Sequence, residues 1–517
     1  MTSVPELVQR AARWYGDAPA VTDEGRTASF RDVDARSNRL ANALLALSPQ
    51  RGARVALLMR NRLEFVEADF AVAKAAKVRV PINPRLVSRE REWALRDSGA
   101  ETLVFDAEMA EFVAEVRGRL PSLRHLIAVG PAVEDAHDYD ELLDRSDPRA
   151  PGLAHAPDDD NFILYTSGTT GRPKGATSTN RGRVAATVNM LAEELDARPG
   201  DAMAHLGAMS HGSGSKVLAY FLRGARNVTV RRFEPDRFLH QVEHERITST
   251  FVVPTMIHML VEAAADANAD TRALKRITYG GAPIAPARIE EAMARFGPVF
   301  VQVYGSCEAP HPVTVLTPDC HVVSPEQRLR LASVGREVPT VELELRGPDG
   351  LPVPDGEPGE LTIRGDNVMR GYWNNATATD EVLRDGWYST GDVARRDDDG
   401  FYSIVDRARD MIVSGGLNVY PAEVEAAIHE HPEVVEVAVA GIPDEKWGEA
   451  VKAFVVRRAG STLDEADVLS HCRLALAGYK KPQQVAFVEA LPRGSTGKIL
   501  KRELVSSDWE GRDRRVS

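Results

Sequence analysis

The amino-acid sequence predicts an α/β protein: a large N-terminal domain of mostly parallel sheets with a small antiparallel β section, followed by an α+β C-terminal domain. Three observations predict it. Short apolar runs alternate with amphipathic helical patterns over roughly the first 300 residues, the signature of strands covered by helices. From about residue 330 the pattern becomes strict two-residue alternation broken by Pro/Gly clusters. Near Asp406–Asp410, charged residues interrupt two apolar runs, and a compact mixture of helix and strand patterns follows. The domains are therefore expected at 1–408, with the β section at about 330–405, and at 409–517.

The elements follow from their residues. Arg31–Leu47 carries apolar side chains at helical spacing, and Val55-Ala56-Leu57-Leu58-Met59 is a buried strand. Phe65–Ala75 is helical again, and Val78–Pro81 ends a strand. The alternation recurs as strand Ser249–Val253, helix Thr255–Ala264, strand Arg276–Tyr279, helix Ala285–Phe296 and strand Val299–Val303. Val341–Leu345 and Glu360–Arg364 alternate strictly on either side of Gly347-Pro348-Asp349-Gly350, as antiparallel strands do. In the last domain, Ala422–His429 and Leu463–Leu476 read as helices, and Val434–Val439 and Val451–Val456 as strands.

Composition excludes several classes. A net charge of −12 argues against a nucleic-acid-binding surface, which needs a basic excess, although it leaves room for a local basic pocket. The three cysteines, Cys307, Cys320 and Cys472, have neither metal-ligand spacing nor the density of a disulfide framework, which fits a reducing cytoplasm. The N-terminus carries Glu6, Arg10 and Arg13 and no apolar core, so no signal peptide is expected. No run of about 18 apolar residues suggests a membrane span. A cytoplasmic protein, monomeric or homodimeric, is the expectation.

The most informative stretch is Tyr165-Thr166-Ser167-Gly168-Thr169-Thr170-Gly171-Arg172-Pro173-Lys174-Gly175, which follows the apolar run Phe162-Ile163-Leu164. Glycines let the backbone approach a ligand and turn its N–H groups inward; the hydroxyls and Lys174 add donors and a positive charge. Such a loop suits the phosphates of a nucleotide. It is not the Walker pattern, because no Gly-Lys-Ser/Thr opens a helix.

Four further clusters stand beside it. Tyr279-Gly280-Gly281-Ala282-Pro283 ends a strand, where ligands of open α/β sheets sit. Tyr304-Gly305-Ser306-Cys307-Glu308 offers an aromatic ring for a purine and a carboxylate for a magnesium ion. Gly386-Trp387-Tyr388-Ser389-Thr390-Gly391-Asp392 places a carboxylate that could accept both ribose hydroxyls, with Arg407 downstream. Gly494-Ser495-Thr496-Gly497-Lys498 puts a lysine on a loop near the C-terminus. Each alone also reads as an ordinary turn or surface loop.

Together, in this order, the five clusters resemble the adenylate-forming superfamily of acyl-CoA synthetases, adenylation domains and luciferases. The resemblance spans nearly the whole chain, including Val80-Pro81-Ile82-Asn83-Pro84, Ser333-Val334-Gly335-Arg336, Asp410-Met411-Ile412 and Asn418-Val419-Tyr420-Pro421. It implies that a carboxylic acid is joined to ATP as an acyl adenylate, that the acyl group passes to the thiol of coenzyme A, and that the C-terminal domain rotates between the two steps.

Carried over residue by residue, it implies that Thr166, Ser167, Gly168, Thr169, Thr170 and Lys174 bind the triphosphate. Gly281, Ala282, Pro283 and Tyr304 would hold adenine, with Gly305, Ser306 and Cys307 beside the nucleotide. Asp392 and Arg407 would hold ribose, and Glu308 would ligate Mg²⁺. Lys498 would bridge the substrate carboxylate and the α-phosphate, and Arg409 would mark the hinge. Gly415, Gly416 and Trp447 would line the coenzyme A path, though Trp447 also reads as a core aromatic. The acyl pocket would be walled by His211, Ser213, Val217, Val253, Gly280, Gly305 and His311, with His211 gating the thiol.

The sequence departs from the family pattern in three places. Cys307 replaces a threonine, Leu417 replaces a polar residue, and Pro310-His311-Pro312 is unusual. His311 either faces a polar or aromatic substrate or is exposed. The alternatives left open are a carrier protein as acceptor, a diazotase-like enzyme that activates nitrite for an arylamine, and a non-catalytic nucleotide-binding protein.

Overall fold

The computed structural model describes residues 2–166, 172–266, 269–324, 328–407, 410–414, 417–444, 447–476, 478–494 and 499–510; Arg407 and a few other residues are described by their backbone alone. The chain divides into two compact units, Met1–Glu342 with Arg364–Tyr388, and Leu343–Ile363 with Ser389–Ser517. The sequence suggests a single division at 408/409. By contacts, much of the β section groups instead with the C-terminal residues, because antiparallel strands bond to their neighbours in sequence.

The first unit contains two large sheets. In one, strands Pro19–Asp23, Arg226–Thr229, Ala202–His205, Ser249–Val252, Arg276–Gly280 and Phe300–Tyr304 run parallel, with antiparallel strands at both edges. In the other, Asp160–Tyr165, Val78–Pro81, Arg54–Leu58, Thr102–Asp106 and His125–Val129 run parallel, and Gly175–Thr179 turns back antiparallel on Asp160–Tyr165. The short strand Gly371–Tyr372 then pairs with Gly175–Thr179. Strands buried on both faces read as continuous apolar runs, which is why Arg54–Leu58 was legible.

Helices Val4–Tyr15 and Phe30–Leu47 begin with capping boxes, Ser3 with Glu6 and Ser29 with Asp32. Helix Leu63–Lys74 is buried on every side. Between them Phe30, Phe70 and Phe221 meet, with ring centroids 4.5 Å and 5.1 Å apart at Phe221. Contacts of this kind close the core, and the apolar area removed from water stabilises it.

A small antiparallel sheet orders Val341–Arg346, Gly359–Gly365, Trp387–Arg396 and Leu383–Arg384. In the second unit a long hairpin, Val434–Asp444 with Gly448–Arg457, packs against helices Pro421–His429 and Glu465–Ala475 around Val424, Ile428, Val439 and Val451. Among the described residues, no helix is long and apolar enough to cross a membrane.

Candidate active site

The phosphate-loop motif sits between two antiparallel strands whose ends are pinned. The Thr166 N–H donates to the Lys174 carbonyl at 2.9 Å. Trp93 donates its indole N–H to the Pro173 carbonyl at 2.9 Å, and the Arg172 guanidinium lies 4.6 Å from the Trp93 ring centroid. Gly175 is required here: a Cβ would lie 2.6 Å from Ile163 and 3.1 Å from the Tyr165 ring. Ser167, Gly168, Thr169 and Thr170 lie outside the described residues.

Strand Gly371–Tyr372 joins this motif to Glu308. Tyr372 pairs with Ala176, and its hydroxyl donates to Glu308 Oε1 at 2.8 Å. The Lys174 ammonium lies 4.9 Å from the centroid of the same ring. The Met369 N–H donates to the Glu308 carbonyl at 2.6 Å, and Asn367 Nδ2 to the Pro310 carbonyl at 3.0 Å. Ser306 Oγ accepts the N–H groups of Glu308 and Ala309, each at 3.1 Å. Burial first, then the Glu308 carboxylate, push the Tyr372 phenol far up, so it is a donor at neutral pH. Cys307 is half-buried and its thiol is free of any disulfide.

The residues expected to hold the nucleotide lie at the ends of two parallel strands. Gly280 faces Val303 in the ladder, and a Cβ on it would lie 2.3 Å from the Val303 carbonyl oxygen. Gly281 has φ +82° with open space around it, and Ala282 and Pro283 are exposed. Tyr304 ends the adjacent strand, half-buried.

Gly305 lies against His311: a Cβ would come within 2.7 Å of its Cα and N. His311 is not an exposed turn residue. Its ring stacks on Phe251 at 5.5 Å with an interplanar angle of 3°. Its Nε2 is 3.0 Å from Ser215 Oγ, which spends its single proton on the Gly212 carbonyl at 2.7 Å. Nε2 therefore carries the hydrogen. Burial, and then the charge of Lys216, hold His311 well below the usual histidine range, so it is neutral.

His211 precedes helix Gly212–Leu222, with Nδ1 3.0 Å from Ser210 Oγ; burial pushes it down to about 4. Ser213 Oγ is 3.0 Å from Nδ1 of the buried His205. Val253 is half-buried at the start of the next helix, whereas Val217 belongs to the central apolar cluster with Met209, Leu218 and Phe221. Behind Phe251 the buried Lys216 pairs with the buried Glu194, and its ammonium lies 5.2 Å from the Phe251 ring. Neither charge is legible as a partner in sequence, since Lys216 interrupts an apolar helix and Glu194 sits in a separate segment.

In the second unit Asp392 is buried on a strand rather than in a turn, and its N–H donates to Thr390 Oγ1 at 3.0 Å. Its cross-strand partner is Arg407. Trp447 is 44% exposed, which removes the core-aromatic reading; its N–H donates to Asp444 Oδ1 at 2.8 Å. Arg409, Gly415, Gly416 and Lys498 lie outside the described residues; a bridge between Arg493 and Ile499 brackets the Lys498 segment.

Among the described residues, no group of three His, Cys, Asp or Glu side chains could hold a metal by itself. The single carboxylate of Glu308 nevertheless fits Mg²⁺, which keeps several waters and takes substrate phosphates as ligands. Oε1 accepts from Tyr372, and Oε2 accepts no hydrogen bond among the described residues.

The chain is similar to known proteins over most of its length. The family model described as AMP-binding enzyme matches residues 8–373, and that of the AMP-binding enzyme C-terminal domain matches residues 423–498. A feruloyl-CoA synthase from Amycolatopsis sp is 40% identical over 498 residues, 96% of this chain and 97% of that protein. The medium/long-chain-fatty-acid–CoA ligase FadD8 of Mycobacterium tuberculosis is 34% identical, over 93% of this chain and 86% of that one. Among solved structures, the amide bond synthetase McbA from Marinactinospora thermotolerans superimposes with a TM-score of 0.88 at 29% identity, covering 98% and 99% of the two chains.

Proposed function

The chain belongs to the family of AMP-binding enzymes, and from that membership we propose how its own residues perform the reaction. The protein is an AMP-forming acid–thiol ligase. A carboxylic acid attacks the α-phosphorus of ATP, pyrophosphate leaves, and the acyl adenylate then yields its acyl group to coenzyme A with release of AMP.

Lys174 and the preceding hydroxyls hold the triphosphate. Gly281, Ala282, Pro283 and Tyr304 take adenine, and Asp392 and Arg407 take ribose. Glu308, whose Oε2 accepts no hydrogen bond among the described residues, would hold Mg²⁺, which would neutralise phosphate charge when bound. Lys498 stands between the two anions that must meet, the carboxylate and the α-phosphate. Arg409 is the hinge, and Gly415, Gly416 and Trp447 border the path of the thiol.

The observation that carries this reading is the approach of Lys174 and Glu308 to one tyrosine, Tyr372. Two side chains remote in sequence, read as a phosphate-binding cation and a metal-binding carboxylate, thus contact the same residue, which supports one site for both. For the substrate we infer an aromatic acid. The flat Phe251–His311 stack suits a planar ring better than a bent alkyl chain, and a feruloyl-CoA synthase is among the relatives.

Mass spectrometry of reactions containing ATP, Mg²⁺, coenzyme A and fatty, benzoic or cinnamic acids tests both statements. Aryl-CoA thioesters are expected. Thioesters of fatty acids alone would overturn the aromatic reading, and AMP without any thioester would move the acceptor to a carrier protein or an amine.

A further inference from the structure

We propose that Tyr372 is a positioning residue that keeps Lys174 and Glu308 from neutralising each other and aims each at its own ligand. The inference rests on the reading above, in which Lys174 meets phosphate and Glu308 meets Mg²⁺.

Tyr372 presents two different surfaces to two opposite charges. Its hydroxyl holds one oxygen of the Glu308 carboxylate at 2.8 Å. Its ring faces the Lys174 ammonium at 4.9 Å, a cation–π contact. Among the described residues Lys174 makes no ion pair. A flexible lysine beside a half-buried carboxylate would ordinarily close on it, since attraction between unlike charges strengthens as water is excluded. That closure would occupy both groups and leave neither for a nucleotide. The aromatic ring stands in the way, yet offers each charge a weaker partner that a phosphate or a metal ion outcompetes.

The geometry goes beyond packing. The strand is held by the backbone, with Gly371 and Tyr372 paired to Thr177 and Ala176, and by the Tyr372 N–H to Thr379 Oγ1 at 2.9 Å. A phenylalanine would serve those contacts equally. Among the described residues the hydroxyl bonds to Glu308 and the ring face meets the Lys174 ammonium. One hydrogen bond to Oε1 also fixes which oxygen is presented: Oε2 is left for the metal.

The test is ATP binding by calorimetry on the full chain, with and without Mg²⁺. Tyr372→Phe keeps the spacer and loses the hydroxyl. It should bind ATP in EDTA within about twofold of the wild type, while the Mg²⁺ concentration that half-saturates the tightening of ATP binding rises about fivefold or more. Tyr372→Leu removes the ring. It should weaken ATP binding in EDTA about tenfold, because Lys174 is captured by Glu308. Adding Glu308→Gln to Tyr372→Leu should restore binding in EDTA to within about threefold of Glu308→Gln alone.

A double variant as weak as Tyr372→Leu would overturn the proposal, as would an unchanged Mg²⁺ requirement in Tyr372→Phe. The second criterion stands even if Tyr372→Leu does not fold. Lys174→Ala separates the two layers: if it binds ATP in EDTA as the wild type does, the assignment of Lys174 to phosphate fails, whatever Tyr372 does.

Discussion

Asp392 and Arg407 face one another across an antiparallel strand pair, with Val393 opposite Asp406 at the next position. The register puts Asp392 and Arg407 at the same rung of one sheet. If they share the ribose, Asp392→Ala raises the KM for ATP at least tenfold and leaves the KM for the acid within about twofold, because each hydrogen bond to a charged group contributes about 1.5–3 kcal/mol. ATP–pyrophosphate exchange measures both. A change confined to the acid would remove Asp392 from the nucleotide site.

Lys498→Ala should slow adenylate formation by about 10²–10³, the usual cost of losing one preorganised charge at a reacting centre. Thioester formation from a supplied acyl adenylate should change only a few-fold, since the carboxylate and phosphate no longer have to be brought together. Single-turnover assays of the two half-reactions distinguish these. Equal losses in both would place Lys498 in some other role.

The Lys216–Glu194 pair is a buried charge pair behind the proposed acyl pocket. Lys216→Met alone should cost about 3–5 kcal/mol, because it strands the Glu194 carboxylate away from water. Adding Glu194→Leu should recover most of that loss. Urea midpoints of the wild type, both single variants and the double variant complete the cycle. A double variant no more stable than Lys216→Met would mean that the pair is not coupled.

Buried His205 contributes to the acid sensitivity of the fold. Burial first pushes it down to about 4, despite its bonds to Asn227 and Ser213. Unfolded, it titrates near 6.5. Between these values the unfolded chain binds a proton that the folded chain does not, so stability is full above about pH 6.5 and falls as pH drops toward 4. The whole window is worth about 3 kcal/mol for one such group. His205→Gln should flatten the slope of urea stability against pH between about 6.5 and 4.5. An unchanged slope would assign it to other buried histidines, of which His211 and His321 are held near the same value.

These residues also show where sequence reading succeeds and where it stops. The strand before the phosphate loop was legible in Phe162-Ile163-Leu164, because a fully buried strand is a continuous apolar run. Glu308 stands out in sequence only as the end of Tyr304-Gly305-Ser306-Cys307-Glu308, a cluster that alone also reads as a surface turn. Tyr372 was not, because its two partners arrive from distant segments and nothing in Gly371-Tyr372-Trp373 names them. Lys216 was hidden for the same reason: a lysine in an apolar helix shows its meaning only with Glu194 beside it. Asp392 read equally as a turn residue, since Gly391 precedes it; the ladder to Tyr402–Arg407 makes it a strand residue. Trp447 shows the limit of residue type, as a tryptophan there reads equally as a core aromatic or a ligand-facing ring, and its exposure decides against the core.

The short strand Gly371–Tyr372, which completes its sheet beside Gly175–Thr179 and brings a hydroxyl to Glu308, also sets an order of events during synthesis. At about 5–20 residues per second, the phosphate loop and Glu308 leave the ribosome well before their common partner does. Until that segment emerges, the edge of Gly175–Thr179 is unpaired and the carboxylate is unrestrained. During synthesis the edge of Gly175–Thr179 therefore stands open for a time, the kind of unpaired strand edge on which another chain can pair.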